Sequence, residues 1–124
     1  MSHSRAFLGQ RGERRAAWHA FWRGACPIAR NVRGPAGEVD LILWHWARRR
    51  PTLVFAEVKT RVHRVGVWGL RAVDAGKQAR IRATAESWLA ARGWPRVWIR
   101  YDLFLVPAEG KIDWIQGAFE HPER

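Results

Sequence analysis

The stretch GEVDLILWHWARRRPTLVFAEVKTR, which runs from Gly37 to Arg61, decides the fold of this chain. It contains two apolar segments separated by a basic connection, Ala47 to Pro51. Both segments are built from β-branched and large apolar residues, a composition that is typical of strands. We therefore predict two strands joined by a solvated hairpin tip, and the charged residues within these strands carry the prediction of function.

Charged residues lie inside both apolar segments. Alternate side chains of a strand project from one face, so Asp40 is expected to share a face with Ile42, and Val39 to point to the other. On the second strand Glu57 and Lys59 share a face, with Cα atoms roughly 6 to 7 Å apart. Burying a lone charge is costly unless it is paired or bound to a metal. We therefore expect Asp40, Glu57 and Lys59 to meet on one side of the sheet.

Two explanations of these three residues remain open. An Asp followed, after sixteen residues, by Glu-Val-Lys resembles the pattern of the PD-(D/E)xK nuclease superfamily, in which Asp40 and Glu57 would hold a divalent cation beside Lys59. The same residues would also form an ion-paired cluster at a sheet edge without catalytic work. The first explanation predicts hydrolysis of a phosphodiester bond, whereas the second predicts no reaction.

The length and net charge of the chain limit the number of domains and the class of binding partner. With 124 residues the chain is expected to form one domain, residues 1–124, with residues 1–8 and 120–124 as flexible tails. Its 22 Lys and Arg against 11 Asp and Glu give a net charge of +11, which favours a polyanionic partner. Most of the basic residues are arginines, which pair with phosphates in bidentate fashion, so nucleic acid is expected rather than a membrane surface.

Cysteine usage and hydropathy indicate the compartment. Cys26 is the only cysteine of the sequence, so no intrachain disulfide can form and a reducing environment is expected. No apolar run approaches the ~20 residues that span a bilayer, and the N-terminal residues do not read as a signal peptide. We therefore predict a cytoplasmic protein with no membrane partner.

The other elements follow from periodicity and from turn residues. We predict a helix from Gly12 to about Arg23, a helix from Ala75 to Arg92, and strands at Ile28–Arg33, Val97–Val106 and Ile112–Ile115. In the first helix Ala17, Ala20, Phe21 and Gly24 fall at helical spacing. A strand that is followed by a helical crossover usually returns parallel to itself, so we expect an α/β fold with a mixed sheet flanked by helices.

Residues along most of the chain resemble, in their order, the YraN-like protein family. They are Gly12-Glu13, Arg30-Asn31, Gly37 to Ile42, Val54 to Arg61, Gly69, Lys77 and Arg100 to Asp102. That family is similar in fold to Holliday-junction resolvases and restriction endonucleases. The resemblance therefore implies a three-layer domain of restriction-endonuclease type and a metal-dependent endonuclease that acts on DNA, including branched or repair intermediates. It also leaves open a homodimer.

The resemblance adds Glu13 to the predicted site, because a glutamate of the N-terminal helix reaches the metal in that family. Considered alone, a glutamate in the first turn of a helix is often solvated and complements the helix dipole. Glu38 stays open as a further ligand or as an exposed turn residue. Carboxylate oxygens suit Mg²⁺, with Mn²⁺ as an alternative, so Asp40, Glu57 and Glu13 are the predicted metal ligands.

The predicted contacts with nucleic-acid phosphates are Lys77, Arg61, Arg80 and Arg30. Lys77 and Arg80 lie near the start of the second helix, where they would equally suit a solvated face. Arg100 and Asp102 share a face of their strand and are expected to pair with each other. Trp44, Trp46 and Trp68 are candidates for stacking on unpaired bases, although the core accounts for most tryptophans. A nuclease and an inactive nucleic-acid-binding module on the same fold both remain open.

Overall fold

The structure is a computed structural model that describes residues 2–47, 49–60, 73–93 and 97–120, with the backbone alone for residues 2–10. The elements in chain order are α1 (Ser2–Phe21), β1 (Ala25–Arg33), β2 (Glu38–Ala47), β3 (Arg50–Thr60), α2 (Ala75–Arg92), β4 (Trp98–Val106) and β5 (Asp113–Phe119). Within these ranges no helix is long and apolar enough to cross a bilayer.

The strands form one mixed sheet in the order β1-β2-β3-β4-β5. β3 and β4 pair in parallel, and the other neighbours pair antiparallel. The helix α2 lies between β3 and β4 in the chain, which is the crossover that parallel neighbours require. The predicted mixed sheet is therefore confirmed.

Two apolar clusters lie on opposite faces of this sheet. On one face Ile81 and Ala85 of α2 pack against Ile42 and Phe55. On the other face Ala16 and Ala20 of α1 pack with Leu41 and Val54, each one position away in its strand from a residue of the first cluster. This arrangement of helix, sheet and helix confirms the predicted α/β architecture and is consistent with a restriction-endonuclease-like domain.

The bounds of α2 agree with the prediction because both ends carry local signals. Asp74 accepts a hydrogen bond from the Lys77 amide at 2.8 Å and caps the first turn. Gly93 ends the helix in the left-handed conformation, with φ 58°. Other bounds differ: β1 begins at Ala25 rather than Ile28, and β5 extends to Phe119 rather than Ile115.

The predicted start of α1 was wrong, because the helix begins at Ser2 rather than Gly12. Phe21, one of the residues at helical spacing, is 50% exposed. The buried face of α1 carries small residues because the helix lies close to the sheet. A Cβ at Gly12 would collide with the side chain of Thr60 on β3, so glycine permits a distance that any larger residue would prevent.

The expected alternation along β2 is interrupted near Asp40. Val39 was predicted to share a face with Leu41, but it packs in the cluster beneath α2, together with Ile42 three positions later. Leu41 packs in the cluster beneath α1, as the alternation requires. The facing of β2 therefore changes between Val39 and Leu41, at the position of the aspartate.

A matching interruption occurs in β1. Ala29 and Val32, also three positions apart, both pack against the cluster beneath α2. Asn31, which lies between them, has φ 52°, in the left-handed region that asparagine tolerates better than most residues. The register pairs Arg30 with Leu41 and Val32 with Val39, so Asn31 and Asp40 lie opposite each other between these two pairs. The two strands thus change facing at the same place, with pairing on both sides of it.

A buried carboxylate on β4, that of Asp102, connects this strand to β5 and, through Arg100, to β2. Asp102 is fully buried and accepts two hydrogen bonds from Arg100, both at 2.8 Å, so the predicted pairing is confirmed. It also accepts hydrogen bonds from the indole of Trp114 at 2.8 Å and the amide of Gly117 at 3.0 Å, which attach β5. Arg100 in turn donates to Nδ1 of His45 on β2 at 2.8 Å.

This network predicts a large loss of stability on Asp102→Ala. The substitution leaves the partly buried Arg100 charge and two N–H donors without their acceptor, which costs about 3 to 5 kcal/mol. Urea unfolding measures the difference. The control Glu109→Ala, at an exposed position, is expected to change the free energy of unfolding by less than about 0.5 kcal/mol. Equal effects of the two substitutions would contradict the network.

Candidate functional site

The candidate site lies where the pairing of β2 and β3 ends. Regular pairing between these strands runs from their hairpin as far as Leu41 opposite Ala56. Two residues beyond Ala56 on β3, the amide of Val58 donates a hydrogen bond to Oδ2 of Asp40 at 2.8 Å. The carboxylate therefore takes the place that a backbone carbonyl would have in a continued ladder, and the aspartate is fixed at the point where the strands separate.

Three carboxylates from two elements converge at this point. Oxygen atoms of Glu13, Glu38 and Asp40 all lie within 4.8 Å of one another. Glu13 comes from α1, where the neighbouring Gly12 allows the helix to approach β3. Its side chain is only 7% exposed, and its Oε1 has no hydrogen-bond partner among the described residues. An acid in this state is expected to have a cationic partner that these residues do not supply.

Glu57 lies beside this group and is paired with two lysines. Its Oε1 is 2.6 Å from Nζ of Lys77 and 3.7 Å from Nζ of Lys59. Glu57 is buried, whereas the two lysine side chains are about one-third exposed. Asp74 accepts a hydrogen bond from the Lys77 amide and so fixes the turn of α2 from which the Lys77 side chain reaches Glu57. The lysines thus neutralise Glu57 and present ammonium groups toward solvent.

A small cavity of about 140 Å³ connects these groups. It opens between the two strands and the start of α2. Its walls are formed by Glu38, Asp40, Glu57, Lys77, Arg80 and Ile81. The lining combines the carboxylates of Glu38, Asp40 and Glu57 with the cations Lys77 and Arg80, so the cavity offers oxygen ligands to a metal ion and positive groups to an anion.

Asp40 and Glu13 carry raised pKa values. Burial raises the pKa of Asp40 to about 8, and the charges of Glu57 and Glu13 add to the effect, while the Val58 amide opposes it. Burial also raises the pKa of Glu13, against the favourable contacts with Asn31 and Arg30. Two protonatable carboxylates so close together cannot both be ionised cheaply. A bound cation would remove that cost, because its positive charge would balance the negative charges of the ionised carboxylates.

The two lysines differ in their pKa shifts. Partial burial and the neighbouring Lys77 lower the pKa of Lys59. Partial burial acts in the same direction on Lys77, but the hydrogen bond and charge of Glu57, together with the contributions of Lys59 and Asp40, outweigh it and raise the pKa. Lys77 is therefore the permanent counter-ion of Glu57, whereas Lys59 is the lysine that can more readily bind a different group.

The structure brings together all the residues predicted to be catalytic: Asp40, Glu57, Lys59 and Glu13. The group of three carboxylates suited to a metal contains Glu38, which the sequence left open, while Glu57 is engaged by lysines. These oxygen donors fit Mg²⁺, as does the Oε1 of Glu13, which has no hydrogen-bond partner in the part of the chain that the structure describes. The roles of the individual residues remain predictions.

The predicted phosphate contacts lie at different places. Lys77 and Arg80 line the cavity, and Arg30 is an exposed residue of β1 whose charge acts on Glu13. Arg61 and Gly69 lie outside the described residues. The sequence analysis did not predict that Asn31 adopts a left-handed backbone conformation opposite Asp40. The signal for it in the sequence is the asparagine itself, which tolerates this conformation better than most residues.

The raised pKa of Asp40 predicts that Asp40→Asn stabilises the metal-free protein. The unfolded aspartate ionises near pH 3.8 and the folded one near 8, so the wild type loses stability as the pH rises between these values. An asparagine at position 40 does not titrate, so its presence causes no such loss of stability. Its side-chain oxygen can still accept the hydrogen bond from the Val58 amide. The advantage of the variant should grow from pH 5 to pH 8, by at most about 1.4 kcal/mol per pH unit.

Urea unfolding in EDTA across this range measures the advantage. Glu109→Gln is the control, because it removes a carboxylate at an exposed position away from the site. A variant whose stability runs parallel to that of the wild type at every pH would show that Asp40 is not held in a costly environment.

Comparison with known proteins places relatives of this chain in several bacteria. The model of the uncharacterised protein family UPF0102 matches residues 12–106, which include every described residue of the candidate site. A UPF0102 protein of Syntrophotalea carbinolica is 35% identical over 123 residues, covering 97% of each chain. A UPF0102 protein of a Parafrankia species is 41% identical over 116 residues, covering 90% of this chain and 95% of its own.

Proposed function

This chain belongs to the uncharacterised protein family UPF0102, the YraN family, and from that premise we propose that it is a metal-dependent endonuclease that hydrolyses DNA phosphodiester bonds. One observation carries the proposal. Oxygen atoms of Glu13, Glu38 and Asp40 converge within 4.8 Å, and one of the buried oxygens has no partner among the described residues. A divalent cation bound by these acids explains why carboxylates are collected in a strongly basic protein.

In this proposal Asp40, Glu13 and Glu57 hold Mg²⁺, or Mn²⁺, with Glu38 as a further ligand. The bound cation would polarise the scissile phosphate and lower the pKa of a water molecule. Asp40 is held in place by the Val58 amide, so its second oxygen stays directed away from the ladder hydrogen bond. Glu13 approaches from α1, so ligands come from two layers of the fold.

The lysines act on the phosphate. Lys59 is held near Glu57 and donates hydrogen bonds to a phosphate oxygen or to the attacking water, which stabilises the negative charge that develops in the transition state. Lys77 is ion-paired with Glu57 and orients its carboxylate. Arg80, at the rim of the same cavity, contacts a neighbouring phosphate of the strand.

The net charge supports nucleic acid as the substrate. A charge of +11 attracts polyanions over the whole surface, while the cluster of acids would repel them unless a cation were bound. We propose DNA, including branched or repair intermediates, as the substrate and the cytoplasm as the place of action. A junction with two symmetric strands would be cut by a two-fold homodimer, which the proposal includes.

Loss of cleavage in three variants tests the proposal. With Mg²⁺ or Mn²⁺ present, the purified protein should cut members of a panel of labelled linear, flapped and four-way DNA substrates. Asp40→Asn, Glu57→Gln and Lys59→Ala should each reduce the rate about 100-fold or more, because each removes a group that acts on the metal or on transition-state charge. Gel analysis under single-turnover conditions measures these rates.

Glu109→Gln, purified in parallel, is the control for contaminating nuclease and should keep the wild-type rate. If all three site variants cut as fast as the wild type, the activity does not belong to this site. If the wild type binds the panel but cuts none of it with either metal, the second candidate, an inactive binding module, is favoured. The ion pairs of Glu57 with Lys59 and Lys77 support that candidate, since they stabilise the cluster without a metal.

Stabilisation by the metal alone provides a readout that needs no substrate. Binding to the folded state raises the free energy of unfolding by about 2.7 kcal/mol at a hundredfold excess over Kd. A thermal melt with Mg²⁺ or Mn²⁺ should therefore shift upward for the wild type. Glu13→Gln and Asp40→Asn should remove the shift, and Glu109→Gln should keep it. A wild-type melt that no divalent cation moves would argue against the metal site.

A further inference from the structure

An apolar groove runs between α1 and the edge strand β1, on the surface next to the carboxylate site. Its volume is about 500 Å³. Trp18 and Phe21 of α1 form one wall, residues 27–30 of β1 form the other, and Arg14 and Arg30 lie at one end. We refer to this surface as the aromatic groove. None of the groups proposed for catalysis or metal binding lines it.

The aromatic residues around this groove are unusually exposed. Trp18 is 61% exposed, Phe21 50% and Trp22 75%, and Ile28 across the groove is 42% exposed. The rings of Trp18 and Trp22 are nearly parallel, with centroids 6.4 Å apart and an interplanar angle of 17°. Phe21 meets both tryptophans edge-on. A contiguous apolar patch of this kind marks an interaction surface rather than an accident of composition.

The charges beside the patch favour an anion over a second copy of the chain. Arg14 and Arg30 face the same groove, so a second copy seated groove to groove would bring these like charges together. The edge of β1 is also poorly suited to pairing with another strand. Pro27 has no amide hydrogen, the register shifts between Pro27 and Ala29, and Asn31 is left-handed.

A single nucleic-acid strand is complementary both to the exposed aromatic rings of the groove and to its two arginines. Every base has an aromatic face that can stack on tryptophan, and its phosphates suit arginine. A paired base in a duplex has both faces covered by its neighbours, so exposed tryptophan faces select unpaired bases. From Arg14 to Phe21 the axis of α1 rises by about 10 Å, enough for a few nucleotides.

The arginine end of the groove lies near Glu13 of the candidate site. Arg14 follows Glu13 directly in α1, and the charge of Arg30 acts on the Glu13 carboxylate. A strand that lies along the groove with its bases near Trp18 would therefore pass the carboxylates at the arginine end. Trp18 and Trp22 were not among the tryptophans that the sequence singled out. Of those, Trp44 packs against the core, Trp46 lies at the far end of β2, and Trp68 is outside the described residues.

We propose that the aromatic groove binds an unpaired nucleic-acid strand, with bases stacked on Trp18 and Trp22 and phosphates held by Arg14 and Arg30. This inference deepens the proposed function, on which it rests for the role of the adjoining carboxylates: the substrate would be a nucleic acid with a single-stranded segment beside the scissile bond. Binding by the groove itself needs neither metal nor cleavage.

Fluorescence anisotropy in EDTA tests the inference without any reaction. The probes are a labelled ten-nucleotide oligo(dT), its ribose counterpart oligo(rU), and a blunt duplex of equal length. Trp18→Ala should weaken binding of the single strands about tenfold, as loss of one stacked base predicts, and change duplex binding less than twofold. Trp18→Phe, which keeps an aromatic face, should recover most of the affinity. The two oligonucleotides distinguish a DNA strand from an RNA strand.

Trp98→Ala is the matched control, since Trp98 is 57% exposed but lies on β4 beneath the guanidinium of Arg50. It should bind like the wild type. Arg14→Ala and Arg30→Ala should each reduce the salt dependence of oligo(dT) binding by about 0.7 in slope. Circular dichroism melts of every variant establish that the fold is kept.

Two results would overturn the inference. One is wild-type affinity of Trp18→Ala for both single strands. The other is a wild-type dimer in sedimentation equilibrium that Trp18→Ala dissociates, because the groove would then be covered by a second copy. Failure of the proposed nuclease is distinguishable from both. It would leave groove binding in EDTA intact and remove only cleavage in the presence of metal.

Discussion

The carboxylate of Asp40, bound to the amide of Val58, is the interaction on which the site depends. A carboxylate within a sheet needs donors, and here it takes one that the β2–β3 ladder would otherwise use. The ladder therefore ends, the strands separate, and a cavity opens beside Glu57. Asn31, left-handed and opposite Asp40, lets β1 follow the same change of facing. The irregularity of two strands and the location of the site have one cause.

Close packing of α1 supplies the second requirement. Gly12 allows the helix to lie against Thr60 of β3, and small side chains continue that contact along the helix. The close approach carries Glu13 into the group of carboxylates. It also leaves the large rings near the end of α1, Trp18 among them, without room on the buried face, so they project at the helix margin. The same contact thus accounts for a buried acid and for the aromatic groove.

Signals confined to a few neighbouring residues allowed much of the fold to be predicted. The bounds of α2 follow from Asp74 and Gly93, and alternation alone placed Glu57 beside Lys59. The change of facing at Val39 was beyond prediction because it requires Asn31, in a different strand, to change with it. Whether a charged residue is solvated or paired depends likewise on distant residues. Lys77 reads as a surface lysine in sequence, and only the folded chain brings it to Glu57.

The structure surrounds its carboxylates in two different ways, and the difference bears on function. Asp102 receives donors at both oxygens: the guanidinium of Arg100, an indole and a backbone amide. The chain can therefore neutralise an acid completely when the acid only joins strands. Glu13 and Asp40 lie among further acids, with raised pKa values caused first by burial, and one oxygen of Glu13 has no partner within the described residues. A purely structural cluster would be expected to resemble the surroundings of Asp102. The incomplete compensation at Asp40 is instead what a site needs if a cation is to supply the missing charge.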